Sequence, residues 1–216
     1  MNATPSTPQP HTPESSTWRS PFALKVLIST VVLGLVADLG SKYWAFHSIA
    51  EFPVEVRRED VMVTQNLGTL IPYHDPLTVI PKLLDFTLVL NPGAVFGIGA
   101  GKRWFFVVFT AIAITVCTVL FGKWTKPREW PMHVALGLVI SGGIGNLYDR
   151  LLYACVRDFI HPLPGMTFPF GLKMPWGQTE VWPYVSNVAD LFLIIGIVML
   201  AWKSVRHPHH APKASN

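Results

Sequence analysis

The chain is poor in charged residues and in cysteine. Only 14% of its 216 residues are charged and 50% are hydrophobic, whereas soluble domains average about a quarter charged residues. Cys117 and Cys155 lie on separate segments, without the number or spacing of a disulfide framework or a zinc site. No basic patch with interleaved aromatic residues is present, so the net charge of +4 does not indicate a nucleic-acid partner. These shortages argue against a soluble domain, a disulfide scaffold and a nucleic-acid-binding protein.

Long apolar runs are what the sequence has instead. Four runs have about the 17–25 residues that a helix needs to cross a bilayer, and they predict spans at about 22–42, 104–122, 132–150 and 184–202. A polar tail precedes the first run and no small-residue cleavage site follows it, which favours a retained span over a cleaved signal peptide. The predicted fold class is therefore an α-helical polytopic membrane protein, with one four-helix domain at residues 22–203.

The remaining segments predict two tails and two outward-facing pieces. Residues 1–21 are rich in Pro, Ser and Thr and predict a disordered tail, and residues 204–216 predict a second, basic tail. Three basic residues in the loop 123–131 favour the cytoplasm for that loop, and hence for both termini. The β-rich runs "DVMVTQN" and "LTVIPKLLDFTLVLN", within residues 45–103, predict a small outer-surface sheet, or β-cradle. The proline- and aromatic-rich residues 159–183 predict an ordered loop at the membrane interface.

Polar and ionisable residues gather at one level of the predicted bundle, the outer ends of the spans. Such groups are costly at membrane depth and usually mark a site. The candidates are Asp38, Lys42, Asn91, Gly93, Asn146, Asp149, Arg150, Asp158, Asn187 and Asp190. The inner halves of the four runs offer almost nothing comparable.

Several of these residues have a simple structural explanation. Asp38 and Lys42 are four positions apart on a helix, which favours an ion pair with Lys42 extending to the interface. Asn146 and Arg150 share a helix face and could contact a neighbouring helix or a lipid phosphate as readily as a substrate. For Asp149, an ion pair or a helix cap is favoured over chemistry.

Asp158 and Asp190 are harder to explain in this way. Asp190 lies in an apolar run with no basic residue within four positions, so an ionised, unpaired state would be costly. A second carboxylate nearby would let the two share a proton, one acting as base on a water while the other donates to a carbonyl oxygen. From the residues alone, such a dyad and an ion-conducting or proton-coupled site are equally well supported. Arg157, beside Asp158, is interpreted as an interfacial anchor.

Five motifs, in order along the four predicted spans, resemble the lipoprotein signal peptidases, or signal peptidase II. They are "DLGSK", "NPGAVFG", "GGIGNLYDR", "VRDFI" and "NVAD", and the resemblance covers about residues 22–202. It implies an aspartic endopeptidase of the bacterial inner membrane, with its site toward the outer leaflet. Such an enzyme cuts diacylglyceryl-modified prolipoproteins before the lipidated cysteine, without metal or cofactor. Its expected partners are the substrate and membrane lipid, with the enzyme itself a monomer.

The resemblance also assigns roles by motif. It implies catalysis by Asp158 and Asp190, and supporting or substrate-binding roles for Asn91, Gly93, Asn146, Arg150, Asn187, Asp38, Lys42 and Asp149. The sequence departs from the family at Ser186, where Phe is common, at Leu191, where Ser is frequent, and in two long connections. A small ion- or proton-coupled transporter is the alternative, although the apolar inner halves argue against a relay. A catalytically inactive relative is a further alternative, against which the retained pair of aspartates argues.

Overall fold

A bundle of long helices carries a small sheet at one end. The computed structural model describes residues 16–93, 103–174 and 177–206. The long helices in these ranges are α1 (Pro21–Ser48), α3 (Arg103–Trp124), α4 (Trp130–Leu152) and α5 (Val188–Arg206), and a short helix, α2, spans Arg58–Val63. Of these, α1, α3 from Trp104 and α5 are long and apolar enough to cross a membrane. Three of the four predicted spans therefore coincide with helices that could cross a membrane.

Helix α4 differs from the other three because it lies at the centre of the bundle. Its 23 residues would reach about 35 Å at about 1.5 Å per residue, but it is less apolar than its neighbours. It packs against α1, α3 and α5, and its buried side chains include His133, Ser141, Asn146 and Asp149. A helix enclosed by other helices needs little lipid-facing apolar surface, which explains why its composition is mixed.

Small residues let the helices approach α4 closely. A side chain on Gly142 would overlap the backbone carbonyl of Ala189 on α5, and one on Gly34 of α1 would overlap Ser141. Close approach through glycine is a common means of helix packing in membranes. These contacts draw the start of α5 and the middle of α1 against the half of α4 that carries its polar residues.

The sheet is antiparallel, with the order β1-β2-β3. Strands β1 (Leu77–Ile80) and β2 (Leu84–Asn91) confirm the sheet predicted for "LTVIPKLLDFTLVLN". The prediction for "DVMVTQN" is wrong, because its first residues belong to α2. That helix has Glu59 and Asp60 in its first turn, where negative charge is favourable. Strand β3 (Val156–Pro162) is a finding the sequence did not predict.

Two element boundaries also differ from the prediction. Helix α5 begins at Val188 rather than near residue 184, because Ser186 pairs with Ile160 of β3 and extended backbone continues up to the helix. Thr17–Arg19 form a 3-10 turn, and Trp18 contacts Phe121 edge to face at 5.1 Å between ring centroids. The end of the predicted disordered tail is therefore folded, while residues 1–15 and 207–216 lie outside the described residues.

Candidate active site

Strand β3 and the first turn of α5 bring Asp158 and Asp190 into one site. Asp158 is the third residue of β3, and Asp190 is the third residue of α5. The backbones of Ile160 and Ser186 exchange two hydrogen bonds of 2.8 Å each. Because Ile160 follows Asp158 by two positions and Ser186 precedes Asp190 by four, this bridge holds the two segments in register. Ser186 also donates from Oγ to the carbonyl of Ile160 at 3.3 Å.

Asn187 links the two carboxylates directly. It precedes α5, and its Oδ1 accepts from the Asp190 N–H at 3.0 Å while Asp190 Oδ2 accepts from the Asn187 N–H at 3.3 Å. This reciprocal pair is a capping box, which satisfies two N–H groups at the helix start. Asn187 Nδ2 donates to Asp158 Oδ1 at 2.5 Å. One asparagine thus holds the main chain of Asp190 and the side chain of Asp158.

Two further asparagines complete the contacts of the pair. Asn91, at the end of β2, donates from Nδ2 to Asp158 Oδ2 at 3.0 Å, and Asn146 of α4 donates to Asp190 Oδ1 at 2.8 Å. Gly93 N–H donates to Asn91 Oδ1 at 3.0 Å. Gly93 has φ +111°, a conformation that glycine adopts far more readily than other residues. All four oxygens of the two carboxyl groups accept a hydrogen bond, so their orientation is fixed.

Burial makes the two carboxyl groups inequivalent. Asp158 is 1% exposed, whereas Asp190 is partly exposed. Burial and, next, the charge of Asp190 raise the pKa of Asp158 to about 7, against the opposing effects of Asn91, Asn187 and Lys42. The raised pKa favours the protonated form of Asp158 up to about neutral pH.

A buried ion-pair network supports Asn146 from the other side. Lys42 is fully buried, and its Nζ lies 2.9 Å from Asp38 Oδ2, 3.1 Å from Asn146 Oδ1 and 3.4 Å from Asp149 Oδ2. The prediction that Lys42 extends to the interface is wrong, because these three acceptors hold the ammonium group inside the protein. Since a lysine can only donate, Asn146 turns Oδ1 toward Lys42 and Nδ2 toward the Asp190 carboxylate.

Asp149 forms the ion pair that the sequence favoured, with a partner that the sequence did not identify. Arg157 Nη2 lies 2.8 Å from Asp149 Oδ1. Arg157 is buried, so its interpretation as an interfacial anchor is wrong. No spacing rule identifies this pair, because the two residues come together only through the chain reversal between α4 and β3.

A cavity of about 190 Å³ reaches Asp190 from between α3, α4 and α5. Asn146, Arg150 and Asp190 form its polar end. The Arg150 guanidinium lies 5.1 Å from the ring centroid of Phe106 and donates to the Asn146 carbonyl at 3.2 Å. The other lining residues are mostly apolar, and they are Phe106, Phe109, Thr110, Ala113, Ile114, Val139, Gly143 and Leu193. The cavity is therefore largely apolar, with one polar and charged end.

Other reaction chemistries find little support among the described residues. No group of three or more His, Cys, Asp or Glu side chains in these ranges could hold a metal ion. Cys155 is buried, and burial, followed by the charge of Asp149, raises its pKa to about 12. Its thiol is therefore protonated and unsuited to nucleophilic attack.

Residues 94–97 of the "NPGAVFG" motif lie outside the described ranges.

Comparison with known proteins identifies the family. The family model described as signal peptidase II matches residues 30–206. The chain belongs to the signal peptidase II family. It is 32% identical to the lipoprotein signal peptidase of Hydrogenovibrio crunogenus over 188 residues, which cover 82% of this chain and 86% of that relative. It is 31% identical to the enzyme of Streptococcus pyogenes serotype M2 over 182 residues, covering 83% and 94%.

Solved structures share the fold. Two structures described as bacterial membrane enzymes superpose with TM-scores of 0.62 and 0.59, at 24% and 25% identity. They cover 89% and 85% of this chain and 95% and 94% of their own chains. Membership of the signal peptidase II family confirms the resemblance seen in the sequence. The protein is an aspartic protease that removes signal peptides from prolipoproteins.

Proposed function

We propose that Asp158 and Asp190 are the catalytic pair of this signal peptidase II. The observation that carries the proposal is the asparagine bridge, in which Asn187 contacts both residues. A second support is the raised pKa of Asp158 beside a partly exposed Asp190. Two carboxyl groups in unequal surroundings can divide acid and base roles between them.

The division of labour follows from burial. Asp190, which lines the cavity, is the base that takes a proton from a water as the water oxygen attacks the scissile carbonyl. Asp158 donates its proton to the carbonyl oxygen, which gives a neutral tetrahedral diol. Collapse of the diol returns that proton to Asp158, and the proton on Asp190 passes to the departing amine nitrogen. Both carboxyl groups then have their starting protonation.

The surrounding polar residues orient the pair and the substrate. Asn91 and Asn187 hold the Asp158 carboxyl group, Gly93 holds the Asn91 side chain, and Asn146 holds Asp190. Lys42, with Asp38 and Asp149, holds Asn146 from behind. Arg150, at the polar end of the cavity, binds carbonyl oxygens of the substrate near the scissile bond. No metal ion or cofactor is required.

The proposed substrate is a diacylglyceryl-modified prolipoprotein, cut before its lipidated cysteine. Its lipid chains remain in the bilayer while the peptide enters the cavity between α3 and α5. The cavity borders the outside of the bundle, since its lining residue Phe109 is 61% exposed. A bilayer-held substrate loses little further translational freedom when it binds, which favours productive positioning.

We also propose the membrane arrangement. Helix α4 is the fourth span, enclosed by the other three, and both termini are cytoplasmic because of the basic loop between α3 and α4. The sheet and the site then lie at the outer leaflet. The connection from β3 to α5, paired at Thr167 and Glu180, leaves Phe170 98% exposed. This connection is the proposed interfacial lid, and the enzyme acts as a monomer in contact with membrane lipid.

Cleavage by active-site variants tests the proposal. Purified wild-type protein in detergent is given a diacylglyceryl-modified prolipoprotein beside a matched, unlipidated precursor, and products are followed by gel shift. Cleavage of the lipidated form alone, lost in both Asp158→Asn and Asp190→Asn variants that melt cooperatively, is the expected result. Undiminished cleavage in either folded variant would contradict the assignment.

A further inference from the structure

Arg157, which precedes Asp158, is buried and donates several hydrogen bonds to the carboxylate of Asp149. The Arg157 N–H donates to Asp149 Oδ2 at 3.0 Å, and its Nη2 donates to Asp149 Oδ1 at 2.8 Å. Its guanidinium lies 4.4 Å from the ring centroid of Tyr153 and 6.0 Å from that of Phe46. Both the main chain and the side chain of Arg157 are therefore bound to Asp149, and the rings of Tyr153 and Phe46 lie near its guanidinium.

This contact closes the reversal that joins α4 to β3. Asp149 lies in the last turn of α4, three residues after Asn146, and α4 ends at Leu152. The chain then turns through Ala154, whose φ of +63° is uncommon for a residue other than glycine. Beyond the turn, Arg157 binds back to α4. The start of the strand is also paired with β2, with Leu90 opposite Arg157, and the next residue of β3 is Asp158.

Charge balance in the interior also depends on Arg157. The Asp149 carboxylate lies between Arg157 and Lys42, and Lys42 contacts Asp38 as well. The group thus contains two carboxylates and two cations, each buried. Removal of one member of such a group leaves an uncompensated buried charge, which is far more costly than loss of an exposed pair.

We propose that Arg157 is a positioning residue for the cleavage reaction, which fixes Asp158 relative to Asp190 by its forked contact with Asp149. The inference rests on the proposed catalytic role of Asp158. The positioning role requires the planar guanidinium, because its several N–H groups bind both oxygens of one carboxylate. A lysine has the same charge but presents it as a single ammonium group, so it cannot make this forked contact. Arg157 itself has no contact with the two reacting carboxylates among the hydrogen bonds and ion pairs found for it, so it acts through placement.

The test compares Arg157→Lys and Arg157→Met with wild type and with Asp158→Asn. Steady-state cleavage of the lipidated precursor gives kcat and KM, and thermal melting gives the folded fraction. Lys203→Met is the control, since it breaks an ion pair of 2.8 Å with Glu129 at the opposite end of the bundle. A displacement of about 1 Å at a reacting group can cost about a hundredfold in rate. We expect kcat of Arg157→Lys to fall by about tenfold or more, with KM within about twofold of wild type.

The possible outcomes separate this inference from the proposal on which it rests. A folded Arg157→Lys variant with wild-type kcat, beside an inactive Asp158→Asn variant, overturns the inference alone. A wild-type rate in Asp158→Asn overturns the proposed function and the inference with it. If Arg157→Met fails to fold, Arg157→Lys decides, because it keeps the buried charge. A rise in KM without loss of kcat also contradicts positioning, whereas Lys203→Met should retain wild-type kcat.

Discussion

Asn187 Nδ2 lies 2.5 Å from Asp158 Oδ1, while the main chain of Asn187 is bonded to Asp190 Oδ2. The residue that starts helix α5 therefore also sets the separation of the two carboxyl groups. The same residue, Asn187, both caps helix α5 and holds the Asp158 carboxyl group. Any change at this position should affect both stability and rate.

Asn187→Ala should lower stability and activity together. Loss of the cap alone costs about 1 kcal/mol, and loss of the donor to Asp158 should lower kcat by about tenfold or more. Asn187→Asp keeps a capping oxygen but turns a buried carboxylate toward Asp158 Oδ1 and Asn146 Oδ1, so it should lose at least as much stability and also be slow. Thermal melting and kcat for the lipidated precursor check both variants. Equal activity of Asn187→Asp and wild type would contradict the bridging role.

The raised pKa of Asp158 predicts a pH dependence of rate and of stability. Because Asp158 must hold a proton to donate it, kcat should fall as the pH rises through about 7. Folding raises this pKa above the ordinary value of about 4, so the folded state binds more protons. The stability that the protonated form of Asp158 contributes is complete below about pH 4 and is lost as pH rises through about 7. Asp158→Asn lacks this pH dependence, so its melting temperature relative to that of wild type should be higher at pH 8 than at pH 5. A difference in melting temperature that is the same at both pH values would contradict the raised pKa.

Removal of the buried lysine should be severe. Lys42→Met leaves Asp38 without its nearest cation, and breaking a buried pair in this way costs about 3–5 kcal/mol. Lys203→Met removes a partly exposed pair at the other end of the bundle and should cost about 1 kcal/mol or less. Thermal unfolding in the same detergent compares the two. Equal losses of stability in the two variants would show that Lys42 stabilises the buried network no more than Lys203 stabilises its partly exposed pair.

Gly145 should tolerate no side chain, whereas Gly40 should. A methyl group on Gly145 would overlap Asp38 Oδ2, and one on Gly40 meets no atom within 4 Å. Asp38 also accepts from the Ala189 N–H at 2.9 Å, next to Asp190. Gly145→Ala should therefore lower both melting temperature and kcat, while Gly40→Ala should leave kcat unchanged. A Gly145→Ala variant as active as Gly40→Ala would mean that Asp38 moves without consequence for the site.

Three spans and much of the sheet could be predicted from the sequence because they depend on local pattern. Apolar length indicates α1, α3 and α5, and alternating β-formers indicate β1 and β2. Helix α4 is less clear by hydropathy alone, since its polar residues are buried against neighbouring helices. Strand β3 was missed because its burial follows from packing against β2 and α1, which no periodicity in seven residues reveals.

The candidate site shows the same limit. Motif order predicted which polar residues lie near one another, but not which atoms they contact. Lys42 is buried by contacts with α4, more than 100 positions away. Asp149 and Arg157 are only eight positions apart, but they meet because the chain reverses between α4 and β3. Arg157 was assigned to the interface because a single arginine beside a span usually lies there. Its true place becomes evident only when the turn after α4 directs it back onto the helix.

Cleavage kinetics of four proteins test the central claim most directly, namely that Asp158 and Asp190 act as one catalytic unit. They are wild type, Asp158→Asn, Asp190→Asn and the double variant, each assayed with the lipidated precursor in detergent after its folding is checked. Residues that act as a unit show strongly non-additive effects. The account predicts that each single variant loses nearly all activity and that the double variant is no worse than either. A single variant that keeps much of the wild-type rate, or losses that multiply in the double variant, would contradict it.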